Sequence, residues 1–291
     1  MKLVNSCFIL LFFLPLFLFS YTNYVDFAEK LFEDGFFSEA IHEYKRILFF
    51  ETDEVEKAKI YFRLGIISRE NGEYKNSIDY FNMFIRDAKT ENEKQNALIE
   101  IGITYLYQTN FNNAIYQFMK VESFSEDDSL RKKALFYLTL SYVLSYRWEN
   151  ARESFESFLA LIEDSKKREM ENEIEEVKNA LKEVKNFKYK SPELAKWLSV
   201  FIFGAGQIYA GEIAGGLNAF ALNGLIFYLV IDFFLKADYL DAIFIAVSFL
   251  DRYYSGNIYR AEEAAKIYNE KNNERFSKAI LKRLDRVVFE R

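Results

Sequence analysis

The chain has 291 residues and carries 38 Lys and Arg against 44 Asp and Glu, a net charge of −6 at pH 7. This acidic balance argues against a nucleic-acid partner, which requires a basic face to displace counterions from phosphates. A single Cys (Cys7) and a single His (His42) exclude intrachain disulfides, thiolate zinc sites and multi-histidine metal sites, so no metal or cofactor is expected. The composition, with 31 Phe and 20 Tyr but only 11 Gly and 2 Pro, predicts an all-α chain packed through aromatic side chains.

Residues 1–22 have the pattern of a secretory signal peptide. A charged start at Lys2 precedes an apolar run from Phe8 to Phe19 that only Pro15 interrupts. Twelve apolar residues form about 18 Å of helix, which is too short for a bilayer core of about 30 Å. We therefore expect export of the chain, with an uncleaved anchor as the alternative.

Residues 23–162 contain four copies of a 37-residue pattern. In each copy a small residue follows an apolar one, a second small residue comes twelve positions later, and an aromatic residue comes four positions after that. The three columns are Ala28/Gly65/Gly102/Thr139, Ala40/Ser77/Ala114/Ala151 and Tyr44/Phe81/Phe118/Phe155. Small residues let two antiparallel helices approach closely. The pattern therefore predicts a solenoid of four stacked helical hairpins.

This pattern resembles the tetratricopeptide repeat (TPR) family over residues 23–160. The period is 37 residues where about 34 is usual, and no Pro closes each copy; the longer period is similar to that of TPR proteins of bacterial envelopes. The resemblance implies a right-handed superhelix of helix pairs that holds protein partners and does not catalyse a reaction. Gly35 and Gly72 fall in the turn between paired helices, where a positive φ is useful, and Thr109 and Tyr146 take that position in the later copies.

The resemblance also implies a groove, because the first helix of each pair lines the concave surface in such solenoids. The expected groove positions are Phe62, Ile66, Arg69, Ile99, Ile103, Leu106, Phe136, Leu140 and Val143, with Val25, Glu29 and Phe32 in the first copy. This largely apolar set predicts a groove for an amphipathic or extended apolar segment of a protein partner. The alternative is that these residues are core, or that the following helix covers them.

The next segment, residues 163–191, is rich in Glu and Lys. Ile174, Val177, Leu181 and Val184 follow one another at a spacing of three or four, which predicts a helix with a narrow apolar stripe. We interpret it as a charged spacer that caps the last repeat.

Residues 192–259 are predicted to form a helical membrane domain. Ile213 to Leu235 comprises 23 residues with one ionisable group, Asp232, and about 34 Å of helix is enough to cross a bilayer. Residues 197–210 and 239–250 are apolar but have only 14 and 12 residues. They cross only if they extend into their flanks, and otherwise form re-entrant or interfacial segments. A buried hairpin in a soluble domain is the alternative.

A glycine-rich run, Gly204–Gly211 followed by Gly215 and Gly216, resembles the hairpin of small TM2-type bacterial membrane domains with a PGxGQxYxG-like signature. Phe203 stands where that signature has Pro, and the later run Tyr254–Ala261 resembles the end of such domains. The resemblance implies close helix packing in the membrane at Gly204, Gly206, Gln207, Tyr209, Gly211, Gly215 and Gly216. Gly211 and Gly215, four residues apart, are expected on one helix face.

Four polar residues in this domain, Gln207, Asn218, Asn223 and Asp232, are predicted either to form hydrogen bonds between helices or to build a polar site at membrane depth. Residues 260–291 predict a basic amphipathic helix, either on the membrane surface or solvated. Three membrane crossings would place this tail in the cytoplasm, as the positive-inside rule prefers. Two crossings would return the tail to the side of the membrane on which the repeats lie. We expect three.

These features together predict a non-enzymatic, membrane-anchored scaffold with the repeats on the extracytoplasmic (periplasmic) side of a bacterial inner membrane. Its expected partners are proteins bound in the groove and the lipid bilayer, without nucleic acid. The alternatives are a docking subunit of a membrane transporter or membrane enzyme, and a self-assembling homo-oligomeric envelope protein.

Overall fold

A computed structural model describes residues 24–287, so the predicted signal peptide lies outside the described residues. Every regular element in this range is helical. The described residues divide into two compact units, with the boundary between Glu171 and Asn172.

The N-terminal unit is a series of helical hairpins. Its helices are α1 (residues 24–33), α2 (Phe37–Phe50), α3 (Glu54–Glu70), α4 (Tyr74–Asp87), α5 (Glu91–Tyr107), α6 (Phe111–Phe124), α7 (Asp128–Leu144), α8 (Trp148–Ala160) and α9 (Asp164–Glu169). The starts of α3, α5 and α7 are 37 residues apart, as are those of α2, α4, α6 and α8. The sequence period is therefore the period of the helix pairs, and the chain has a TPR-like helical-repeat fold in this unit.

The ends of these helices repeat as well. Asp53, Thr90 and Asp127 accept hydrogen bonds from the first backbone N–H groups of α3, α5 and α7 and so cap them. At the turn inside each pair, Thr109 and Tyr146 take positive φ values of 56° and 60°. Gly35 and Gly72 have 81° and 78° at the equivalent positions. All four turns make the same pair of backbone hydrogen bonds, which satisfies the last carbonyls of the helix. The turn geometry is therefore set by the hairpin, even where the residue is unfavourable for it.

The small and aromatic columns meet inside each pair. A Cβ atom added to Gly65 would lie 2.7 Å from the Phe81 ring, and one added to Gly102 would lie 2.5 Å from the Phe118 ring. Both rings are completely buried. The small residue is thus needed because an aromatic ring from the second helix occupies the place of its side chain.

The C-terminal unit is also helical. It contains α10 (Glu171–Asn186), α11 (Pro192–Phe201), α12 (Ala205–Tyr209), α13 (Ile213–Leu235), α14 (Tyr239–Ile245), a π-helical turn (Ala246–Leu250) and α15 (Asp251–Leu284). The main packing partner of α11 is α15, and α13 packs against α14. α14, the π-helical turn and α15 follow one another without a break in the helical backbone and so form one long helix. This long helix and α13 form a hairpin.

The spacer helix belongs to this second unit, except for its first residue. Its apolar stripe, Ile174, Val177, Leu181 and Val184, is buried. Glu176 forms ion pairs with Arg283 in the last turn of α15 and with Arg286 just after it. The boundary between the two units therefore lies at the start of α10.

Two expectations for the membrane domain need correction. Residues 197–210 do not form one helix, because α11 ends at Phe201 and Gly204 has a positive φ of 77° before α12 begins. Neither α11, with 10 residues, nor α12, with 5, is long enough to cross a bilayer. The apolar side of the tail is covered by the protein itself, since Ala264, Phe276, Ile280 and Leu284 are buried. That stripe is not available to a membrane surface.

Candidate functional site

The nine expected groove residues do not share one environment. Phe62, Ile66, Ile103, Leu106, Phe136 and Leu140 are partly exposed on α3, α5 and α7. Ile99 and Val143 are completely buried and belong to the core of the unit. Arg69 is buried as well, with a side chain only 10% exposed. The candidate surface is therefore the six partly exposed residues, which we call the groove patch.

An ion-pair network around Glu100 joins α3, α5 and α7. Arg69 Nη1 lies 2.7 Å from Glu100 Oε2, and Lys133 Nζ lies 3.3 Å from Glu100 Oε1. Burial opposes the charge of Arg69, but its ion pairs with Glu100 and Glu70 dominate and raise its pKa above the ordinary arginine value. Arg69 thus connects successive repeats instead of facing a partner.

A second polar cluster connects α1, α2 and α3. Glu29 accepts hydrogen bonds from the Tyr44 hydroxyl and from the Arg63 guanidinium, with Arg63 Nε 2.7 Å from Glu29 Oε1. Burial and the hydrogen bond to Glu29 raise the pKa of Tyr44, so the hydroxyl keeps its proton and donates. Val25, Asp26 and Glu29 line one side of a cavity of about 410 Å³ beside this cluster.

Sequence reasoning missed Glu100, although a signal was present. Arg63, Glu100 and Tyr137 are 37 residues apart and occupy the same position in α3, α5 and α7. A position that holds charged residues in two copies and a Tyr in the third indicates a contact between successive repeats. Its partners cannot be deduced from the column, because they lie 31 and 33 residues away.

In the C-terminal unit, the glycine-rich run and the run Tyr254–Ala261 meet in a buried polar cluster of Ser199, Gln207 and Asn257. Gln207 Nε2 donates to Asn257 Oδ1 at 2.9 Å, and the Ser199 hydroxyl donates to Gln207 Oε1 at 3.0 Å. The backbone N–H groups of Gly204 and Gly206 donate to Asn257 and Ser199. This network fixes α11, α12 and α15 together.

The glycines of this run have two separate functions. A Cβ on Gly204 would lie 1.9 Å from the Gly216 carbonyl oxygen, and one on Gly206 would lie 1.9 Å from the Ala195 carbonyl oxygen. These glycines permit backbone contact. Gly211 has a positive φ of 92° in the turn between α12 and α13. The expected shared helix face of Gly211 and Gly215 is therefore wrong, because only Gly215 lies in α13.

The other residues that the sequence singled out in this unit lie in different environments. The Tyr209 hydroxyl accepts a hydrogen bond from the backbone N–H of Ser191, the capping residue of α11. Gln207, Asn218 and Asn223 line one cavity. Asp232 is separate from them and pairs with Lys236 at the end of α13, with a distance of 2.6 Å.

No group of three or more His, Cys, Asp or Glu side chains in residues 24–287 is arranged to hold a metal ion. The geometry in the N-terminal unit instead defines a class: an all-helical protein with TPR-like repeats, in which partly exposed apolar residues recur on the first helices of successive hairpins.

Comparison with known proteins adds one structural similarity. No protein-family model matches the chain, and no curated protein sequence matches it. The chain is similar to the crystal structure of the apo form of RapI, with a TM-score of 0.46 and 14% sequence identity, over 85% of this chain and 99% of RapI. A similarity of this degree carries no argument about function.

Proposed function

We propose that this chain is a membrane-anchored helical-repeat scaffold that binds a protein partner at its groove patch. The observation that supports the membrane anchor is the exposed apolar surface of α13. Only 11% of its most apolar 18-residue window is buried. Leu217, Phe220, Leu225 and Phe227 are all about half exposed. A core helix of a soluble protein would bury such residues, and exposed apolar surface of this extent requires a bilayer or another protein.

The hairpin favours two crossings over three. The 23 residues of α13 extend for about 34 Å, and the turn after it carries Lys236 and Asp238, whose charges suit the aqueous side of a membrane. On the return, Leu240, Ile243 and Val247 are also exposed. With two crossings, the N-terminal repeats and the C-terminal tail lie on the same side. We propose that this is the extracytoplasmic side of a bacterial inner membrane.

A charge on the exposed face of α13 tests the anchor. Leu225 is 56% exposed, so Leu225→Arg is expected to be harmless in water but to cost about 2.5–3.5 kcal/mol at the centre of a bilayer. We expect the fraction of full-length chain that resists carbonate extraction to fall strongly in this variant.

The matched control is Phe124→Arg, which replaces a 76% exposed aromatic residue of the repeats. We expect its extraction to match that of the unsubstituted chain. If the unsubstituted chain is released by carbonate as a soluble protein, the anchor is refuted.

The scaffold half of the proposal rests on the groove patch. Six partly exposed apolar side chains lie on α3, α5 and α7, and three of them, Ile66, Ile103 and Leu140, occupy the same position in successive repeats. Apolar anchors of this kind accept an amphipathic or extended segment. The binding partner gains effective concentration from the anchoring of the scaffold.

Ile103→Glu and Leu140→Glu test this surface. We expect each variant to lose crosslinks to partner proteins in intact membranes, because a carboxylate in the patch must be desolvated on binding. Phe124→Glu, on α6, serves as the control and should keep them. Mass spectrometry of the crosslinks also separates the alternatives, namely foreign partners, a transporter or enzyme complex, or only copies of this chain. Retention of every partner in both patch variants contradicts the proposal.

A further inference from the structure

The C-terminal unit contains a cavity of about 430 Å³ between α13 and α15. Its space comes from small residues on both helices, since Gly215 and Ala219 on α13 and Gly256 on α15 line it. A Cβ atom added to Gly256 would meet nothing within 4 Å. Glycine in a helix interior is usually unfavourable, so this glycine keeps space open and is not required by the packing.

Two arginines line this cavity on either side of Gly256. Arg252, Gly256 and Arg260 are four residues apart on α15 and so share one helix face. Both arginines are exposed, and within residues 24–287 neither guanidinium group has an ion-pair or hydrogen-bond partner, so both are free to bind a ligand. Most other arginines of the chain are paired, as Arg63, Arg69 and Arg152 illustrate. The two unpaired guanidinium groups therefore favour an anionic ligand, for which they supply several donors each.

The opposite wall provides one buried acceptor that has no donor. Asn223 is only 2% exposed, and its Nδ2 donates to the Ala219 carbonyl oxygen at 2.9 Å. Its Oδ1 is buried without any hydrogen-bond partner, which is unfavourable unless a bound molecule supplies a donor. Glu212 also lines the cavity and is exposed. A ligand that fits both walls carries a negative charge at one end and a hydrogen-bond donor at the other.

We propose that this cavity binds a phosphate ester that bears an ammonium or hydroxyl group, the chemistry of a phosphoethanolamine headgroup. Arg252 and Arg260 bind the phosphate oxygens, while Asn223 Oδ1 accepts a hydrogen bond from the ammonium or hydroxyl group. The cavity volume is in the range of small-molecule sites. The binding chemistry needs only the fold of the C-terminal unit. A lipid as the source of the headgroup rests on the proposed membrane anchor.

Calorimetric titration of the full chain in uncharged detergent tests this site with three probes. These are glycerophosphoethanolamine, which has no acyl chains, short-chain phosphatidylethanolamine, and a diacylglycerol that lacks the phosphate. We expect both phosphate esters to bind and the diacylglycerol not to bind. Arg252→Gln and Arg260→Gln should each weaken binding by about tenfold or more, and Gly256→Leu should abolish it by filling the cavity. Arg275→Gln removes the same charge from an exposed position of α15 outside the cavity and should bind normally.

The relative affinities identify the source of the ligand. Tighter binding of the phospholipid indicates a membrane lipid, and equal binding indicates a soluble phosphate ester. Failure of both esters to bind, or binding by Gly256→Leu at the unsubstituted affinity, refutes the site. If carbonate releases the chain but glycerophosphoethanolamine still binds, only the anchor fails.

Discussion

Gly206→Ala is expected to destabilise the C-terminal unit by about 3 kcal/mol or more, as overpacking against an immovable neighbour does. The added Cβ would lie 1.9 Å from the Ala195 carbonyl oxygen and 2.7 Å from the Cβ of Ala261. The first of these is a backbone atom, so relief requires that α11 move away from α12. That movement also lengthens the hydrogen bond from Gly206 N to the Ser199 hydroxyl.

Two tryptophans make this measurement specific for one unit. The chain has two Trp residues, Trp148 at the start of α8 and Trp197 in α11. In a Trp148→Phe background, the fluorescence of Trp197 reports unfolding of the C-terminal unit alone. Separate reporters matter because two units need not unfold in one transition.

Gly224→Ala is the matched control, since a Cβ there meets nothing within 4 Å and alanine favours helix. It should leave the transition unchanged or raise its midpoint slightly. A Gly206→Ala protein that unfolds at the same denaturant concentration as the unsubstituted chain would show that α11 and α12 do not pack as closely as described.

The helices of the N-terminal unit could be predicted in detail because the sequence pattern that defines them repeats every 37 residues. Each column combines a local helix preference with a packing partner at a constant offset, so Gly102 and Phe118 identify each other through their spacing. The turns were less predictable. Thr109 has no preference for positive φ, yet the backbone hydrogen bonds of its hairpin hold it there. Only comparison with Gly35 and Gly72 shows that its position requires that conformation.

The C-terminal unit was harder to predict because its contacts have no repeat. Gln207 and Asn257 are 50 residues apart, and no sequence spacing connects them. The apolar length of residues 197–210 suggested a crossing helix, but Gly204 breaks that segment by a backbone conformation that hydropathy does not measure. The stripe on α10 was recognised correctly, while the element that covers it could not be deduced from the stripe. Periodicity identifies a buried face but not its partner.

Arg69 is a further example, because its position in the sequence does not reveal whether it binds a partner or holds the repeats together. Sequence position assigned it to the groove, whereas its side chain is 10% exposed and paired with Glu100, which is 12% exposed. Arg69→Met is therefore expected to reduce the stability of the N-terminal unit by about 3 kcal/mol, because it leaves a buried carboxylate with Lys133 alone. The fluorescence of Trp148 in a Trp197→Phe background measures this change.

The double variant Arg69→Met/Glu100→Met decides whether the loss comes from the unpaired charge. Replacing both members of a buried ion pair by apolar residues is often nearly neutral, so the double variant should recover most of the stability lost by Arg69→Met. The coupling energy between the two sites should exceed about 1 kcal/mol, as for residues in direct contact. If the Arg69→Met chain has unchanged stability but weaker crosslinks to its partner, Arg69 belongs to the binding surface. The groove patch would then extend to the C-terminal end of α3.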